Sequence, residues 1–134
     1  MKLEEAIKQQ NFSSLELRTL LNLYHTHSTL QASSNAVLKV FQISVQQYNI
    51  LRILRGQGGG PVNVSDITER MLDKMSNTSR LIEKLKQKGL VIRKECPLDR
   101  RRVEVELTPD GLKTVNAASE EMDKEIDHLV KEVN

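Results

Sequence analysis

Cysteine occurs once in these 134 residues, at Cys96, which excludes an intrachain disulfide. Tryptophan is absent and aromatics make up 3% of the chain, too few for a platform on which single-stranded bases stack. No apolar run approaches the ~20 residues that a membrane-spanning helix needs. The opening MKLEEAIKQQ offers no apolar signal-peptide core, so a reducing cytoplasm is the expected setting. The three histidines, His25, His27 and His128, lack any zinc-site spacing, and no metal or cofactor is expected. No G-K-[ST] follows Gly58-Gly59-Gly60-Pro61, which therefore reads as a flexible turn and not as a phosphate loop. With no nucleophile–base–acid set in view, the chain does not read as an enzyme.

What is present is an uneven charge. The net charge is only +2, but residues 70–102 hold 11 basic and 4 acidic side chains, a net of +7. The remainder holds 9 basic and 14 acidic, a net of −5. A basic footprint on one part of a small domain, with an acidic remainder, is the electrostatic pattern of a polyanion-binding surface.

The centre of that footprint is a ribbon with a basic tip. Leu90 to Glu95 forms one arm, Pro97 and Asp99 the turn, and Val103, Val105 and Leu107 alternate with Glu104 and Glu106 in the return arm. Arg100, Arg101 and Arg102 sit where the ribbon turns back. A guanidinium cluster on a thin projection repels itself unless it meets anions, and a nucleic-acid backbone supplies them.

The rest of the chain reads as helices. Residues 1–12 form a short polar arm, and Ser13 or Ser14 caps a helix running to about Val40. Ser44 with Gln47 makes a capping box that opens a helix ending near Gly56. Asn63 caps a short helix over residues 64–71, with Asp66 at N3. Asp73 is expected to cap the next helix, residues 74–88, which Gly89 ends. Its inner face would be Met75, Thr78, Ile82 and Leu85, with Ser76, Asn77, Ser79, Arg80 and Lys84 turned outward. Two short helices followed at once by a basic ribbon match a winged helix-turn-helix. Thr108 and Pro109 open the last helix, on which Leu112, Val115, Ser119, Met122, Ile126, Leu129 and Val133 repeat at spacings of 3 and 4. That seam, polar only at Ser119, is expected to cover both the first long helix and a second copy of the chain.

The expected fold is therefore mainly α with a small β-wing, a winged helix-turn-helix with dimerisation helices from both termini. The stretch SNTSRLIEKLKQKGLVIRK, the wing DRRR and the lead-in VELTPDG resemble the MarR family of bacterial transcriptional regulators over roughly residues 15–134. The resemblance implies a cytoplasmic homodimer that binds double-stranded DNA at a pseudo-palindromic operator, a repressor modulated by a small molecule or oxidant. It implies one domain over residues 1–134, with 63–108 as the DNA-binding region and 1–55 and 109–134 as dimerisation helices and core. Residue by residue, it implies that Asp99 pairs with and orients an arginine, that Arg101 enters the minor groove, and that Arg100 and Arg102 assist. Ser76, Asn77, Ser79 and Arg80 would contact bases or phosphate, and Lys84 phosphate. Dimerisation would fall to Leu112, Val115, Met122, Ile126, Leu129 and Val133. Tyr24, His25, Tyr48 and Arg52 would line a cleft between the dimer helices and the winged region, where such proteins take phenolic anions. Two departures stand out: the final helix is short for the family, and Cys96 lies at the wing tip, away from the first helix where peroxide-sensing members carry theirs. The competing expectation is a winged-helix module that docks on an acidic protein.

Overall fold

Side-chain caps set where the helices begin. The structure, a computed structural model, describes residues 2–133, with side chains described as far as Lys131. After a single turn α1 (Leu3–Ala6), Ser14 accepts from the Leu17 N–H and opens α2 (Leu15–Leu38). Leu3 is buried, and the Glu4 carboxylate meets Arg18 of α2 at 2.7 Å. Backbone hydrogen bonding at Glu4, and then Arg18, hold that carboxyl below its usual range. A 3-10 turn (Lys39–Phe41) ends at Gln42 in the left-handed region. The capping box forms in both directions between Ser44 and Gln47 and opens α3 (Val45–Gly56). Gly56 is still helical; the left-handed residues that turn the chain are Gly58 and Gly59.

Asn63 caps α4 (Val64–Arg70) as its sequence suggests. The next boundary differs from expectation. Helix α5 (Thr78–Gln87) begins four residues later than Lys74, because Asn77 and not Asp73 is its cap, accepting from the Arg80 N–H. Asp73 instead folds the preceding turn, accepting from the Met75 N–H through its side chain and from the Ser76 N–H through its carbonyl. Met75 is consequently exposed, and the buried stripe is Thr78, Ile82 and Leu85. At the other end Gly89 adopts φ +76, the Leu90 N–H reaches the Leu85 carbonyl and the Gly89 N–H that of Lys86. That is a Schellman stop, and Leu85 and Leu90 are both buried in the one core cluster.

The ribbon is β2 (Val91–Cys96) and β3 (Asp99–Leu107), and β3 also pairs with a two-residue β1 (Val62–Asn63), giving the antiparallel order β1-β3-β2. Strand β1 is too short to show any period and has no sequence signal. The core gathers around α3, whose Ile50, Leu51 and Leu54 share a cluster with Ile67, Met71, Ile82, Leu85, Val91 and Val105.

The last helix, α6 (Pro109–Val133), starts where Thr108 accepts from the Gly111 N–H, with Pro109 at N1. Gly111 is dictated by space: a Cβ there would lie 1.9 Å from the Leu90 carbonyl oxygen. The expected seam divides in two. Val115 is 0% exposed and joins Ala118 in the chain's own core, so it has no surface for a partner. Met122 packs partly against that core, whereas Leu112, Ile126 and Val130 stay exposed. Val133 closes the helix, and its side chain lies outside the described residues.

Candidate nucleic-acid interface

The wing owes its shape to an excess of residues on one strand. Glu95 pairs with Val103 and Cys96 with Asp99, across a two-residue turn at Pro97 and Leu98. Between those pairs β3 carries Arg100, Arg101 and Arg102 with no counterpart on β2. Such a bulge bends the strand and re-aims side chains, here three guanidinium groups. Asp99 holds the bulge, but not by the arginine side-chain pairing expected of it: its Oδ1 accepts the Arg101 backbone N–H at 3.0 Å. The Arg101 side chain is left exposed. Arg102 faces Glu104 at 3.9 Å, and among the described residues no carboxylate forms an ion pair with Arg100 or Arg101.

Helix α5 divides the candidate contacts between two clefts. One, of about 460 Å³, runs between the wing, the start of α4 and α5; Ser79, Asp99, Arg101 and Arg102 line it. The other, of about 580 Å³, lies between α5 and the start of α3; Ser76, Asn77, Arg80 and Lys84 line it. Arg100 lines neither. Ser76 and Asn77 differ from their expected placement, since they precede the helix. The Asn77 oxygen is committed to the cap, and its amide nitrogen remains for other contacts.

The clefts also hold residues that sequence reasoning passed over. Asn63, Ser65 and Arg93 join the wing side, and Gln46 and Lys88 the other. Arg93 sits in the middle of the ribbon and pairs with Glu83 at 3.7 Å. The signal for Lys88 was available, as it follows Lys84 by one turn on a basic helix. Lys88 also donates to the Gln42 carbonyl, tying the end of α5 to the turn before α3.

The four residues expected around an effector do not form one cleft. Tyr48 is 8% exposed with its hydroxyl against Ser119, Arg52 stacks over the Tyr48 ring, and Tyr24 projects from α2, largely exposed. His25 is half-buried on the same helix. A cleft of about 450 Å³ opens instead between α2, α3 and the turn after α4. His27, Leu30, Gln31, Val45, Asn49, Leu72 and Lys74 line it, and none of the four expected residues does. Asn49 Oδ1 accepts the Leu72 N–H at 2.9 Å, tying α3 to the turn that leads into α5. Among the described residues no helix is long and apolar enough to cross a membrane.

A sequence model of the MarR family matches residues 41–102, which contain α3, the helix-turn-helix, the wing tip and all the arginines of the bulge. The crystal structure of a MarR transcription factor from Planctomyces limnophilus is 32% identical, with 91% of each chain covered and a TM-score of 0.72. The chain belongs to the MarR family. This MarR-family chain is also 38% identical over 71 residues to the HTH-type transcriptional regulator YfiV of Bacillus subtilis, covering 53% of this chain and 43% of that relative. The chain thus matches less than half the length of that relative. In fold it is similar to an organohalide-sensing transcriptional regulator solved in its 2,4-dichlorophenol-bound form. That likeness has a TM-score of 0.81 at 17% identity and covers 92% of this chain and 75% of the other.

Proposed function

We propose that this protein is a homodimeric, sequence-specific regulator of transcription that binds double-stranded DNA, a cytoplasmic repressor whose affinity a small molecule lowers. The observation that carries the reading is the arginine bulge beside α5. A recognition helix with small and basic residues at its start stands next to a strand that projects three guanidinium groups, two of them, Arg100 and Arg101, without an ion pair among the described residues. The helix fits the major groove, and the arginines suit the concentrated negative potential of a narrow minor groove. Residues 63–108 would read DNA, and helices from 1–55 and 109–134 would hold two such units across a pseudo-palindrome.

The effector site in this reading is the cleft between α2 and α3. Its walls are apolar at Leu30, Val45 and Leu72, Lys74 supplies a cation and His27 an imidazole, which suits a small aromatic anion. The fold neighbour bound to 2,4-dichlorophenol supports that class of ligand. A ligand there presses on the Asn49–Leu72 tie and selects a dimer whose recognition helices no longer match successive major grooves.

Three variants test the assignment. Arg80 enters the cap through its backbone only, so Arg80→Ala leaves the helix start intact. It should cost about 1–3 kcal/mol and relax the preference at one base, as loss of a bidentate guanine contact does. Lys84→Ala should weaken all sequences about equally. Arg101→Ala should weaken binding most where the flanks are A/T-rich. Binding-site selection on each variant separates these outcomes. If Arg80→Ala scales affinity with an unchanged preference, Arg80 contacts phosphate; if neither Arg80 nor Arg101 matters, the mechanism is wrong.

A further inference from the structure

The one polar residue in the seam of α6 is where α6 and α3 are joined. Ser119 Oγ lies 2.9 Å from the Tyr48 hydroxyl and accepts from Arg55 Nη1 at 3.0 Å. The same nitrogen donates to Asn116 Oδ1 at 3.1 Å and to the Val115 carbonyl at 3.5 Å. Arg52 lies between Tyr48 and Arg55 on the same face of α3, its guanidinium 5.7 Å from the centre of the Tyr48 ring. A hydroxyl offers one donor and two acceptor sites. Ser119 is therefore engaged from two sides by a buried tyrosine and a half-buried arginine.

We infer that this latch of Tyr48, Arg55 and Ser119 is a positioning device. It sets the angle between the dimerisation helix and the winged unit, and with it the half-site spacing the dimer accepts. The remainder of the buried face of α6 is Val115, Ala118 and Met122. Apolar packing is non-directional and tolerates small rotations, whereas hydrogen bonds fix direction. Helix α3 packs against both α6 and α5, so the angle at the latch passes to the recognition helix through a rigid element. The stretch of α6 from Ser119 to Val133 is a lever of roughly 21 Å. A tilt of about 10° at the latch then moves the far end about 3.6 Å, close to the ~3.4 Å rise of one base pair. The part of the inference that concerns spacing rests on the DNA-binding reading; the part that concerns geometry does not.

The two parts are tested separately. Cys96 is the only cysteine and lies in the wing, so a nitroxide there reports the wing-to-wing distance in a dimer without DNA. The distance distribution should be narrow in the natural protein and in Ser119→Thr, which keeps the hydroxyl, and broad in Ser119→Ala and Tyr48→Phe. Selection from duplexes whose two half-sites are separated by variable spacers gives the second readout. The natural protein should favour one spacing by about tenfold or more over spacers one base pair longer or shorter, and Ser119→Ala should reduce that to about twofold. Tyr48→Phe is the mildest change and covers the case in which Ser119→Ala fails to fold. Variants that lose thermal stability but keep a narrow distance distribution and the natural spacing ratio would make the latch a fold contact only and overturn the inference. Broadened distances in a dimer that selects no DNA sequence would sustain the latch and overturn the DNA-binding reading instead.

Discussion

Raising salt from ~50 to ~200 mM should weaken duplex DNA binding by roughly 10³–10⁵-fold, the response of a protein that makes on the order of 6–10 phosphate contacts. The side chains for those contacts are present twice in a dimer. Lys84 and Lys88 line the cleft beside α3, and Arg102 the cleft beside the wing. Arg100 lies on the bulge with no ion pair among the described residues, so its charge is available to a phosphate. The acidic remainder of the chain does not cancel this, because α6 carries Glu120, Glu121, Asp123, Glu125 and Asp127 along a different element. Separation of the two signs orients the approach to DNA and leaves the contact face basic. Fluorescence anisotropy on a labelled duplex over a salt series measures the slope. A flat response would point to an acidic protein partner in place of DNA.

The second large effect concerns assembly. Replacing Ile126 and Val130 by glutamate should yield a folded monomer whose affinity for a two-half-site duplex is lower by about 10²–10⁴-fold, the factor lost when two linked sites become independent. The two side chains are one helical turn apart on α6 and are 51% and 55% exposed, so neither belongs to the chain's own core. Leu20, Leu23, Tyr24 and Leu30 of α2 are exposed too. Apolar surface on both long helices, with the core already filled by Val115 and Ala118, fits a second copy of the chain. Sedimentation equilibrium checks the mass, and unchanged helical circular dichroism separates monomerisation from unfolding. A natural protein that is monomeric at micromolar concentration in moderate salt would end this part of the account.

The features legible in the sequence were those specified by local chemistry. Ser44 with Gln47, Gly89, and Thr108 with Pro109 each satisfy orphan helix-end groups in one way, so residue type and spacing were enough. The start of α5 was not legible, because Asp73 and Asn77 are equally good caps and Met75 sits at the same period as Thr78, Ile82 and Leu85. What separates them is the turn that Asp73 folds with the Met75 and Ser76 N–H groups, which leaves Met75 exposed and the cap to Asn77. The seam of α6 misled for a related reason. A 25-residue helix faces two neighbours in turn, and a heptad count merges the stripe that enters the core at Val115 with the one left outside at Ile126. The wing arginines were legible as a cluster, but not as a bulge, since pairing of Cys96 with Asp99 is a property of two strands together. The cleft between α2 and α3 draws His27, Asn49 and Lys74 from three separate segments, and no local pattern joins them.

Recovery of bound sequences from a random double-stranded DNA pool with the purified protein shows whether two copies of α5 and the arginine bulge read a symmetric duplex. The enriched sequence should be a pseudo-palindrome with half-sites about one helical turn apart, ~10–10.5 base pairs, and A/T-rich positions where the wings fall. Recovery of no enriched sequence, with binding that vanishes under nonspecific competitor DNA, would contradict that reading.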